Sequence, residues 1–142
     1  MDVTSRIIVD AGAIVGALSP RDQNFAQAGP RFRELPKPLY TCEPVITEVS
    51  FLIRRKAGGR QKVLDLIAGG VLKIDFSLAD EVDAVNLLMT KYNSVPMSLA
   101  DACLVRMSEL ARESSIFTFD GDFRIYRRNR RENIPLIGLD GL

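Results

Sequence analysis

Arg6-Ile7-Ile8-Val9-Asp10-Ala11-Gly12-Ala13-Ile14-Val15-Gly16-Ala17-Leu18 is the stretch that decides the architecture. Residues 6–10 read as a short buried strand, because Ile7, Ile8 and Val9 form an unbroken β-branched run. Residues 11–18 are small and apolar and read as a helix that starts with no loop before it. A strand passing straight into a helix is the opening of a crossover between parallel strands.

The pattern repeats outward from there. A second helix is expected over 21–35 in spite of Gly29-Pro30, which would normally interrupt it. A short strand follows around 39–40. Pro44 suits the first position of a helix running to about 56. Gly58-Gly59 ends that helix, 60–68 forms another, and Gly69-Gly70 closes it. Strand 71–75, helix 79–92, helix 98–113, strand 115–118 and a last strand over 134–137 complete the chain. Strands separated by one or two helices predict a three-layer α/β/α sandwich around a mostly parallel sheet, within one domain spanning 1–142. In such sheets the working site lies at the carboxyl ends of the strands, near a switch in strand order. Asp10 and Asp120 both fall just past strand ends.

Composition narrows the chemistry. The 142 residues are 46% hydrophobic and 26% charged, ordinary for a soluble globular chain. No apolar run approaches the roughly 18 residues of a membrane span. Asp2 stands where a secretory signal would carry positive charge, so no cleaved targeting peptide is expected. Cys42 and Cys103 make neither a zinc pattern nor a disulfide framework and read as buried thiols in a reducing cytoplasm. Histidine is absent. That excludes Ser-His-Asp and Cys-His nucleophile systems, His-rich zinc sites and imidazole-based RNA cleavage. Catalysis must run on carboxylates, hydroxyls, lysine or metal ions.

Four acids sit in awkward places: Asp10, Glu48 within Val45-Ile46-Thr47-Glu48-Val49, Asp101 within Leu99-Ala100-Asp101-Ala102-Cys103, and Asp120 after Ile116-Phe117-Thr118-Phe119. A carboxylate out of water needs a partner, and four of them along the chain suggest one shared cation. The sequence carries its own control, since Ser-Leu-Ala-Asp occurs at 77–80 and at 98–101. Both copies read as helix caps. The residues three and four away from Asp80 are Phe76, Ser77, Asp83 and Ala84. Those of Asp101 are Met97, Ser98, Leu104 and Val105, so only Asp101 projects along an apolar stripe. Glu48 passes the same test, flanked by Pro44, Val45, Phe51 and Leu52. Asp10 alone reads equally as a cap of the next helix. Asp120-Gly121-Asp122 is a tight acidic turn in which local turn chemistry competes with function.

Net charge is only +1. Basic residues nevertheless cluster at Arg54, Arg55, Lys56, Arg60 and Lys62, and again at Arg124, Arg127, Arg128, Arg130 and Arg131. Each cluster reads equally as a solvated face or as a phosphate contact.

Taken in order, Ile7-Ile8-Val9-Asp10-Ala11-Gly12, Val45-Ile46-Thr47-Glu48-Val49, Ser98-Leu99-Ala100-Asp101-Ala102-Cys103-Leu104-Val105 and Phe117-Thr118-Phe119-Asp120-Gly121-Asp122-Phe123 resemble the PIN-domain nucleases, and more narrowly the VapC-type toxins of bacterial toxin–antitoxin pairs. The resemblance implies a PIN-like fold of this length and a metal-dependent endoribonuclease. By matching position, Asp10, Glu48, Asp101 and Asp120 would hold Mg²⁺ or Mn²⁺. Asp122 matches a further acidic position, and Thr118 a hydroxyl residue beside the fourth acid. Water would attack phosphorus and leave a 5′-phosphate and a 3′-hydroxyl. Because an acidic quartet repels a polyanion, flanking cations are needed. Arg54, Arg55, Arg124, Arg127 and Arg128 are the candidates to contact RNA. A cognate antitoxin and a homodimer are implied as well. One departure stands out: relatives often carry a hydroxyl just after the first aspartate, where this chain has Ala11-Gly12.

Two other readings compete. One is an inactive PIN-like interaction module, which should bind no metal through these acids. The other is a phosphoryl-transfer enzyme with Asp10 as nucleophile, which should form a covalent phospho-aspartate.

Overall fold

The computed structural model describes residues 5–139. The expectations for residues 1–4, including the targeting reading, lie outside the described residues. Strand β1 (Ser5–Val9) pairs in parallel with β2 (Leu39–Thr41) on one side and β4 (Glu113–Phe117) on the other. Beyond them, β3 (Leu72–Ile74) pairs with β2 and β7 (Leu136–Ile137) with β4, both parallel. The order β3-β2-β1-β4-β7 reverses direction at β1, so the carboxyl ends of β1 and β4 flank the switch point.

Helices α1 (Ala11–Leu18), α2 (Phe25–Glu34), α3 (Glu43–Leu52) and α4 (Gly59–Ala68) fill the first two crossovers. Helices α5 (Leu78–Lys91) and α6 (Leu99–Leu110) carry the chain back across the sheet to β4. The three-layer α/β/α sandwich expected from the sequence is the observed fold. Its core is centred on the aliphatic and aromatic set Ile8, Val9, Ile14, Leu39, Val45, Val49, Leu72, Leu104, Ile116 and Phe117, all essentially solvent-free.

The differences from expectation have physical causes. Helix α3 stops at Leu52 rather than 56, because residues 53–58 tighten into turns that finish at Gly58 with φ +71°. Helix α6 stops at Leu110 rather than 113. Glu113 already pairs with Ser5 as the first register position of β4, so the sheet takes over what helical pattern alone would extend. Pro30 lies inside α2, exposed, where only one backbone bond is forgone. A two-stranded antiparallel ribbon, β5 (Arg127–Arg128) with β6 (Glu132–Asn133), lies in what reads from sequence as a basic tail.

Candidate active site

Asp10 is the last residue before α1 and the N-cap of that helix. It is 6% exposed. Its Oδ1 accepts from the Ala11 amide at 2.7 Å, and its Oδ2 accepts from the Thr118 hydroxyl at 2.8 Å. Burial pushes its pKa from 3.8 up to about 7. The Thr118 and Ala11 hydrogen bonds oppose that rise, and the charges of Asp101 and Glu48 add to it.

Thr118 is fully buried just past β4 and serves two acids at once. Its Oγ1 donates to Asp10 and accepts from the Asp120 amide at 2.9 Å. Asp120 then caps a short 3₁₀ turn (Gly121–Arg124), its Oδ1 accepting from the Asp122 amide at 2.9 Å. Asp122 is half-buried in that turn.

Asp101 opens α6 inside a complete capping box. Ser98 Oγ accepts from the Asp101 amide at 3.0 Å, and the Asp101 carboxylate accepts back from the Ser98 amide at 3.5 Å. The same Oδ2 accepts from the Tyr126 hydroxyl at 3.0 Å. Burial raises the Asp101 pKa, the Tyr126 and Ser98 bonds lower it, and Asp120 raises it again. Met97, Leu104 and Val105 around it are buried, so the inward reading of Asp101 holds. Asp80, its sequence control, donates its amide to the Ser77 cap at 3.2 Å.

Glu48 differs from its expectation. Phe51 and Leu52 beside it are 61% and 50% exposed, so the apolar flank that suggested burial faces solvent. Val45 and Val49 point inward on α3, which leaves Glu48 on the outer face. It still belongs to the acidic group. Partial desolvation raises its pKa first, followed by the charges of Asp101 and Asp120.

The charges of Glu48, Asp101 and Asp120 therefore act on other acids of the group across the carboxyl edge of the sheet. Among the described residues, none of the four pairs with a lysine or arginine. Nor do the described residues include three or more acids or cysteines gathered closely enough to hold a metal ion as the side chains stand. The donor chemistry fits a hard divalent cation, being all oxygen and uncompensated by local positive charge. The side chains as placed do not converge on a single point.

A family model for the PIN domain matches residues 7–129. The chain belongs to the PIN-domain family. Its fold is similar to that of the VapC20 toxin of Mycobacterium tuberculosis, a sarcin-ricin loop cleaving toxin. The TM-score is 0.73 at 19% identity, over 82% of this chain and 91% of that one. No curated protein matches the chain in sequence.

Within this PIN domain the basic candidates divide. Arg54 and Arg55 are exposed at the end of α3, and Arg124 is exposed with Nη2 donating to the Leu139 carbonyl at 3.0 Å. Arg127 turns back on its own loop, donating to the carbonyls of Arg124, Ile125 and Tyr126. Arg128 is buried, giving its guanidinium to Ser108, Ser114 and Glu132. That engagement corrects the reading of Arg128 as a phosphate contact, since it ties the ribbon to the base of α6 and β4.

Tyr126 was not singled out by its sequence position. It is buried edge-on against Tyr92 and Phe123, ring centroids 5.1 and 5.2 Å away. Its place three residues after Phe123 in an otherwise basic stretch was the available signal.

Proposed function

We propose that this PIN-domain protein is a metal-dependent endoribonuclease acting as the toxin of a toxin–antitoxin pair. The observation that carries the reading is the acidic group itself. Asp10, Glu48 and Asp101 each have their affinity for protons raised by burial and by the charges of neighbouring acids, and no described lysine or arginine pairs with any of the four. Such a group is costly unless a cation joins it. Mg²⁺ or Mn²⁺ held by Asp10, Glu48, Asp101 and Asp120, with Asp122 at the margin, would supply an activated water and offset charge on a phosphodiester.

The chain's own residues do the rest. Thr118 keeps the Asp10 carboxylate turned toward the switch point and the Asp120 turn in register with it. Tyr126 and Ser98 orient Asp101. Arg54, Arg55 and Arg124 are the exposed cations able to hold a backbone that the acids alone would repel. RNA is the proposed substrate, a cognate antitoxin and a second copy are the proposed partners, and the cytoplasm is the proposed compartment. No described helix is long and apolar enough to cross a membrane.

An inactive interaction module is the second reading, favoured by the spread of the acids in the described residues. One experiment separates the two. Titrating Mn²⁺ by calorimetry, alongside cleavage of a labelled RNA, should show binding and cleavage that both vanish in Asp10→Asn and Asp101→Asn. Undiminished cleavage by either variant, or no carboxylate-dependent binding by the parent, would contradict the nuclease assignment.

A further inference from the structure

Outside the acids, the most unusual surface is the end of α3. Phe51 is 61% exposed, and the Arg54 guanidinium lies 3.9 Å from the centroid of its ring. Arg54 is held there, because its Nη1 donates to the Phe51 carbonyl at 2.8 Å. A cation fixed on one face leaves the exposed area on the ring's edge and other face.

Phe51 stands three residues after Glu48, so the two share a side of the helix about 5–6 Å apart at Cβ. Leu52, four residues after Glu48 and so on the opposite flank of it from Phe51, lines an open cleft of about 660 Å³ whose charged lining is Arg21, Arg55, Lys56 and Asp22. Asp22 is engaged with the Asn24 amide, so three cations face one acid already accepting a backbone bond. Glu48 thus lies between the bare aromatic ring on one flank and the positive cleft on the other.

We propose that Phe51 is a stacking platform for a base of single-stranded RNA, with Arg21, Arg55 and Lys56 holding the phosphates on the other flank of Glu48. The inference rests on the RNA-cleaving reading and adds to it a site that takes the strand next to the cleaved bond. Aromatic rings flanked by cations suit this substrate, because every base has a π-face and the backbone supplies the anions. A purely apolar protein partner would leave the three cations of the cleft buried without counterions, at a desolvation cost.

The test uses the full chain carrying Asp10→Asn, which cannot consume the substrate, and a fluorescein-labelled single-stranded RNA of mixed sequence followed by anisotropy. Phe51→Ala should weaken binding about 5- to 150-fold, the range for losing one stacked base, with the salt slope unchanged. Phe51→Trp should restore it. Arg55→Gln should instead reduce the salt slope by about 0.7. Because Phe51 is mostly exposed, unchanged thermal melting checks that the variants fold. Unchanged affinity in Phe51→Ala, or a loss that Trp does not restore, overturns the platform. Loss of self-association by sedimentation with RNA affinity intact overturns it in favour of a second copy covering this face. No RNA binding by Asp10→Asn itself is a separate result, since that would sink the nuclease reading as a whole.

Discussion

The Thr118 hydroxyl joins two of the candidate acids, donating to Asp10 Oδ2 at 2.8 Å while accepting the Asp120 amide at 2.9 Å. The hydroxyl is fully buried, and its bond to Asp10 lies out of bulk water. Thr118→Val preserves shape but removes both bonds, leaving a buried carboxylate oxygen and a backbone amide unpartnered. A stability loss of about 1–3 kcal/mol is expected by urea denaturation. The hydroxyl also lowers the Asp10 pKa, so titration of Asp10 should move upward in the variant. Thr118→Ser should restore both properties, and a variant indistinguishable from the parent would show that the relay does no positioning.

Asp10 sets a pH dependence of its own in metal-free protein. Its folded pKa is raised from 3.8 to about 7, chiefly by burial. Between those values the folded chain binds more protons than the unfolded chain, so stability falls as pH rises. The penalty is absent below about pH 4 and complete above about pH 7, with a size on the order of 4 kcal/mol. Asp10→Asn should therefore be more stable than the parent at pH 8 and similar to it at pH 4, by urea midpoint in EDTA. A parent that gains stability between pH 5 and 7 relative to Asp10→Asn would reverse the assigned sign.

Tyr126 offers a test that separates packing from orientation. Tyr126→Phe keeps the edge contacts with Tyr92 and Phe123 and deletes only the hydrogen bond to Asp101. That bond lowers the Asp101 pKa, so its loss should raise it. RNA cleavage should drop most at the acid end of the pH–rate profile and recover as pH increases. A uniform loss across pH would mean that the hydroxyl matters for some other reason.

These residues also show what could be read from the chain alone. Asp101 was legible because helical spacing puts it on an apolar stripe, and Met97, Leu104 and Val105 are indeed buried. The same rule failed at Glu48, because spacing identifies a stripe without saying what covers it, and Phe51 and Leu52 lie bare. Strand and helix order followed from local pattern, and so did the sandwich. The Tyr126–Asp101 bond and the turning inward of Arg128 did not. Both depend on the β5–β6 ribbon folding back over α6, a long-range arrangement with no period of its own.

Gly138 is the remaining position that sequence alone passes over. It adopts φ +105°, and a Cβ there would stand 2.4 Å from the Thr118 carbonyl oxygen. That oxygen cannot easily retreat, since the Thr118 amide is bonded to the Ile137 carbonyl at 2.9 Å. Gly138→Ala therefore combines a disfavoured backbone with a clash against the residue that orients Asp10. A loss of about 3 kcal/mol is expected, a fall in Tm on the order of 10 °C. RNA cleavage should fall with it, even at temperatures where the variant stays folded, because Thr118 must shift. Gly12→Ala is the matched control, with nothing within 4 Å of the added methyl and a helical position that favours alanine. It should be neutral or slightly stabilising. Equal behaviour of the two variants would show that the close approach at Gly138 does not constrain the site.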